Sequence, residues 1–159
     1  FICNELPGKL KMIDKPILFT YRLPEDSSLS SSTTLTEKDL RVLLNEFNDS
    51  RNFLDFDLKY ESSIFQNFRE SFYNSIYSYH NFERTLEKTE LMDWIQKIPV
   101  KSISEKTYFK FAVMANSLVD AENFMKLIGE LSGKYKMIGI VMGEFGVYSR
   151  VFGDLYGSL

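Results

Sequence analysis

The chain has 159 residues, 44% of them apolar and 15% aromatic, which is enough material for one sizeable core. Its 19 basic and 22 acidic residues leave a formal net charge of −3, without the basic footprint that nucleic acid or an anionic membrane surface would require. Cys3, the only cysteine, excludes an internal disulfide and fits a reducing, cytoplasmic setting.

No uncharged stretch nears the roughly 20 residues of a membrane span, and no signal-peptide pattern is visible. Residues 1–15 hold only a weak helical stripe through Leu6, Leu10 and Ile13, interrupted by Pro7-Gly8. Ile17–Arg22 is the first short apolar run and predicts a strand. Asp26–Thr36 is rich in serine and threonine and reads as a loop. Leu40, Leu43, Leu44 and Phe47 then fall at i, i+3, i+4 and i+7 behind Thr36-x-x-Asp39, which predicts a helix.

Phe53–Leu58 is a second strand, and Ile64, Phe65, Phe68 and Phe72 mark a second helical stripe. Ser75–Tyr79 is a third strand, followed by the stripe Leu91, Trp94, Ile95, Ile98. Tyr108–Met114 is a fourth strand. The helix carrying Ala121, Phe124, Met125 and Ile128 follows it, opened by Ser117-x-x-Asp120, where a hydroxyl can cap free amides. Met137–Met142 is a fifth strand, closed by the glycine-bearing loop Met142-Gly143-Glu144-Phe145-Gly146. Strands of five to seven residues, several nearly continuous in hydrophobicity and alternating with helices, predict an α/β fold with a parallel sheet.

The polar residues sit at or near the strand ends. Arg22 closes the first run, Asp55 and Asp57 lie in the second, and His80, the only histidine, ends the third. Lys110 lies within the fourth, and Arg150 follows the fifth. In a parallel α/β barrel, catalytic residues come from the C-terminal ends of several strands and so converge in space. Lys110 stands between Phe109 and Phe111; desolvation penalises an ammonium, and a neutral amine is a nucleophile toward a carbonyl carbon. The pair His80 and Lys110 therefore points to imine chemistry with a histidine moving protons. Each residue also has a plain structural reading: a histidine satisfied at a strand end, a lysine reaching solvent along its stem, arginines paired with Asp55 and Asp57, and Met114 and Met142 as core filling or the wall of an apolar pocket. One histidine and one cysteine give no metal-ligand cluster.

Five blocks carry a resemblance: Pro16-Ile17-Leu18-Phe19-Thr20-Tyr21-Arg22, Leu54-Asp55-Phe56-Asp57-Leu58, Ser78-Tyr79-His80-Asn81-Phe82-Glu83-Arg84-Thr85, Lys110-Phe111-Ala112-Val113-Met114, and Ile140-Val141-Met142-Gly143-Glu144-Phe145-Gly146-Val147-Tyr148-Ser149-Arg150. In this order they resemble type I 3-dehydroquinate dehydratase over nearly the whole chain. The resemblance implies a (β/α)8 TIM barrel and dehydration of 3-dehydroquinate to 3-dehydroshikimate, the third step of the shikimate pathway. Lys110 would form the Schiff base and His80 would shuttle the proton. Arg22, Arg150, Asp26, Asp57, Met142 and Ser158 would line the substrate, with Asp26, or Glu25 in its stead, orienting His80. No cofactor is implied. A homodimer and a fusion to shikimate dehydrogenase are the partner arrangements it leaves open.

Relative to the family pattern, two strands before Pro16 and a final strand with a lid beyond Gly157-Ser158 are missing. The expectation is a single partial domain over 1–159, an incomplete barrel of about six βα units. Two other readings remain open at this point: another Schiff-base barrel enzyme such as a class I aldolase, and a non-catalytic ligand-binding remnant of the same barrel.

Overall fold

The structure, a computed structural model, describes residues 8–20, 37–59 and 73–159. The chain divides into two compact units, Phe1–Phe56 with Tyr60–Ser75, and Asp57–Lys59 with Ile76–Leu159. Arg22, Glu25, Asp26 and the helical stripe Ile64–Phe72 lie outside the described residues.

In the first unit, β1 (Leu18–Thr20) lies parallel to β2 (Phe53–Asp57), with Leu18 opposite Phe53 and Thr20 opposite Asp55. Helix α1 (Glu37–Phe47) buries Leu43, Leu44 and Phe47, the i, i+1, i+4 part of the stripe seen in the sequence, and the Phe47 ring centroid lies 5.2 Å from that of Phe19. Asn52 ties these elements together. Its Oδ1 accepts from the Ile17 amide at 3.0 Å, while its Nδ2 donates to the Phe47 carbonyl at 3.0 Å. Asn74 makes the next link, donating from Nδ2 to the carbonyls of Asn52 and Ser50 at 2.8 and 3.1 Å. Both asparagines are buried, and these bonds offset the cost of taking their amides out of water.

The second unit carries most of β3 (Asn74–Asn81), then α2 (Lys88–Gln96), β4 (Thr107–Met114), α3 (Leu118–Ser132), β5 (Lys136–Met142) and the short α4 (Val147–Phe152). Within this unit the strands bond in chain order, β3-β4-β5. β4 and β5 run parallel, with Lys110 opposite Ile138 and Met114 opposite Met142. Helix α3 starts where the sequence places it: Ser117 Oγ accepts from the Asp120 amide at 3.0 Å. It buries Ala121, Phe124, Met125, Ile128 and Leu131. The five strand predictions thus correspond to five strands among the described residues, each with its expected centre.

Candidate active site

Strand alternation divides the side chains of the second unit between two faces. The ring of Tyr77 on β3 stacks with that of Phe109 on β4 at 6.0 Å, Phe109 meets Tyr135 edge-on at 5.5 Å, and Tyr79 lies 4.3 Å from Trp94 of α2. Those odd-numbered positions face the helices. On β5 the matching positions are Met137, Gly139 and Val141, of which Gly139 lies directly under Ile128 and Met125 of α3. The opposite face therefore holds Ile76, Ser78 and His80 of β3, Lys110 and Met114 of β4, and Ile138, Ile140 and Met142 of β5. His80 and Lys110 share this face on neighbouring strands, roughly 4.8 Å apart in the hydrogen-bonding direction. Lys110 precedes the end of β4 by four residues, so its Cα stands about 13 Å below the strand's C-terminal rim.

Asp57 and His80 are in direct contact. The carboxylate Oδ2 of Asp57, the last residue of β2, lies 2.8 Å from His80 Nδ1, and Asp57 Oδ1 accepts from the Lys59 amide at 3.0 Å. The Asp57 side chain is 2% exposed and that of His80 12%. Immediately after, the Leu58 amide donates to the Ser78 carbonyl at 2.7 Å. The backbone carrying the acid is therefore bonded to the backbone carrying the imidazole.

The loop that follows His80 is held at both ends. Asn81 Oδ1 accepts from the amides of Glu83 and Arg84 at 2.9 and 3.1 Å, the local turn that short polar side chains favour. Arg84 then grips Glu90 of α2 with a two-point fork, Nη1 to Oε2 at 2.9 Å and Nη2 to Oε1 at 2.6 Å. Glu90 Oε2 also accepts from the Glu87 amide at 2.8 Å, at the start of the helix. The Arg84 fork, and after it the Glu87 amide, hold the Glu90 carboxyl down to about 2.

Arg150 lies in α4, beyond β5. Gly143 takes the left-handed φ of 80° that the tight loop requires, and a β-carbon there would stand 2.5 Å from Met114 Sδ. Arg150 Nη1 donates to the Gly146 carbonyl at 2.9 Å. Together with Ile138, Ile140, Asp154 and Ser158 it lines a pocket of about 330 Å³ beside β5. The amides of β5 next to it are satisfied by hydroxyls: Ser158 Oγ accepts from Gly139 at 2.9 Å and Ser149 Oγ from Val141 at 2.9 Å.

The family model for type I 3-dehydroquinase matches residues 3–159. The chain belongs to that family. It is 34% identical over 128 residues to a 3-dehydroquinate dehydratase of Methanococcus maripaludis, covering 77% of this chain and 56% of the relative. To the 3-dehydroquinate dehydratase of Streptococcus pyogenes it is 30% identical over 154 residues, covering 93% and 63%. Among solved structures, the 3-dehydroquinate dehydratase of Geobacillus kaustophilus matches with a TM-score of 0.68 at 26% identity, over 98% of this chain and 61% of that one. The Aquifex aeolicus enzyme matches in fold with a TM-score of 0.72 at 24% identity, over 99% and 70%. The chain spans a little over half the length of the archaeal relatives it matches.

The fold is thus the α/β fold of the type I 3-dehydroquinases, matched over part of their barrel. Within it, the structure brings Asp57 onto His80, sets Lys110 and Met142 on the same sheet face as His80, and groups Arg150 with Ser158 around the pocket beside β5. The Ser158 hydroxyl is engaged by the Gly139 amide. Arg22, Asp26 and Glu25 are outside the described residues. The contact between Asp57 and His80, the amide caps by Ser149 and Ser158, and the Arg84–Glu90 clamp were not read from the sequence. Among the described residues no group of three or more His, Cys, Asp or Glu side chains is placed to hold a metal ion, and no helix is long and apolar enough to cross a membrane.

Proposed function

We propose that the protein dehydrates 3-dehydroquinate to 3-dehydroshikimate through a Schiff base on Lys110, the third step of the shikimate pathway. The observation that carries this reading is the placement of His80 and Lys110 on one sheet face of adjacent strands, in a chain of the type I 3-dehydroquinase family. The Lys110 amine adds to the C3 ketone carbon, and loss of water leaves a protonated imine. That imine draws electrons from the neighbouring C2–H bond, and His80 takes the proton as the enamine forms. The enamine then expels the C1 hydroxyl, which leaves as water with the proton His80 returns. A second water hydrolyses the conjugated imine and releases product and free Lys110, so the net change is loss of one water.

Arg150, beside Ile138 and Ile140, supplies a guanidinium suited to the substrate carboxylate, with Arg22 adding charge and Asp26, Met142 and Ser158 completing the surroundings. In this reading residues 1–159 form part of one barrel domain, acting in the cytoplasm on a small molecule. A homodimer and a fusion to shikimate dehydrogenase are the partner arrangements that accompany it.

The test is to add 3-dehydroquinate and follow the ultraviolet absorbance of the conjugated product. Turnover that disappears in Lys110→Ala supports the dehydratase. Absence of turnover at any protein concentration contradicts it and favours a ligand-binding remnant of the barrel.

A further inference from the structure

We propose that Asp57 is the positioning residue for His80, holding its ring in the Nδ1–H tautomer so that Nε2 is the nitrogen that carries the proton. The inference rests on the dehydratase reading and deepens it. The resemblance implies an orienting role for Asp26 or Glu25, which lie outside the described residues, and places Asp57 at the substrate; the geometry gives Asp57 an orienting contact of its own.

A carboxylate has lone pairs to offer and no proton to give, so at 2.8 Å it is Nδ1 of His80 that donates to Asp57 Oδ2. The second oxygen of Asp57 is committed to the Lys59 amide at 3.0 Å, which fixes the rotation of the carboxylate. The bond from the Leu58 amide to the Ser78 carbonyl fixes the spacing of the two backbones. With the Phe82 ring stacked 6.3 Å from the imidazole at an interplanar angle of 19°, the ring is held on its edge and on its face. In the neutral ring the lone pair then resides on Nε2. When Nε2 takes a proton, Asp57 faces the opposite edge of the imidazolium, the arrangement by which an acid orients a catalytic histidine in hydrolases.

Asp57→Asn separates this role from simple packing. The Lys59 amide still requires an oxygen at the Oδ1 position, so the asparagine would turn its Nδ2 toward His80 Nδ1. Nδ1 would then accept, and the neutral ring would switch to the Nε2–H tautomer. Because His80 is the only histidine, protein labelled with ¹⁵N-histidine gives a single pair of ring nitrogens. The expected spectrum of the neutral ring in the parent has a protonated Nδ1 and a bare Nε2, reversed in Asp57→Asn and unchanged in Asp26→Asn or Glu25→Gln. In turnover, Asp57→Asn should lower kcat about a hundredfold or more with KM within a few-fold, the size of a lost general base. A bare Nδ1 in the parent overturns the positioning role whether or not the protein turns over substrate, and needs no variant to fold. A protonated Nδ1 that reverses in Asp57→Asn, in a protein without turnover, supports the positioning role and ends the dehydratase reading.

Discussion

The Cγ1 atom of Ile128, on α3, lies 2.7 Å from where a β-carbon on Gly139 of β5 would stand. Its Cγ2 and the Met125 sulfur lie within 3.2 and 3.3 Å of the same point, so the helix rests on the bare backbone of the strand that faces Lys110. Two of those atoms are the branched γ-carbons of a fully buried isoleucine, which leaves little room for adjustment.

Gly139→Ala is therefore expected to destabilise the second unit by about 1–3 kcal/mol through overpacking. Urea unfolding measures it. Adding Ile128→Ala to Gly139→Ala should cost less than the sum of the two single changes, because removing the γ-carbons makes the space the new methyl needs; strict additivity would contradict the contact.

Ser149 gives a second prediction about β5. Its hydroxyl accepts from the buried Val141 amide at 2.9 Å and lies 3.2 Å from the Gly146 carbonyl, to which it donates. Ser149→Ala would leave that amide without its acceptor at a cost of about 1–3 kcal/mol. Hydrogen exchange at Val141 should accelerate by more than at Phe111 in the middle of β4.

The Arg84–Glu90 clamp predicts a dependence on pH. Binding by Arg84 lowers the Glu90 carboxyl from 4.5 to about 2 in the folded protein, so the folded state favours the ionised form. The resulting stabilisation is complete above about 4.5 and is lost as the pH falls through about 2. Glu90→Gln should accordingly be less stable than the parent at pH 6, with the difference closing across that acid range. The effect is small, because both side chains are partly exposed. A gap that stays constant from pH 6 to pH 2 would mean that the charge pair contributes nothing.

The strands and three of the helices were legible in the sequence because their signals are local. Runs such as Tyr108–Met114 are apolar on both faces, and the stripe Ala121, Phe124, Met125, Ile128 repeats at helical spacing behind a capping serine. Lys110 stands out in the sequence for the same reason, as a charge among aromatics, and the structure places it within β4. The short helix α4 was not legible, since six residues complete too few turns to show a stripe. The bond between Asp57 and His80 was hidden for a different reason. It joins residues 23 positions apart, on separate strands, and no local pattern records which strand-end acid meets which strand-end histidine. The amide caps on β5 were hidden likewise: Ser158 reaches back 19 residues to Gly139.

His80→Ala should separate the two halves of the proposed chemistry. Imine formation needs the Lys110 amine, whereas elimination needs a proton carrier beside it. The variant is expected to keep a trappable imine while its turnover falls about a hundredfold or more. Turnover equal to the parent, measured by product absorbance, would remove His80 from the mechanism.

In the proposed reaction Lys110 forms the covalent bond to substrate. Protein incubated with 3-dehydroquinate, reduced with borohydride and digested should carry one added mass, on the peptide containing Lys110. That adduct is expected in the parent and absent in Lys110→Ala. An adduct on another lysine, or equal labelling of Lys110→Ala and the parent, would contradict it.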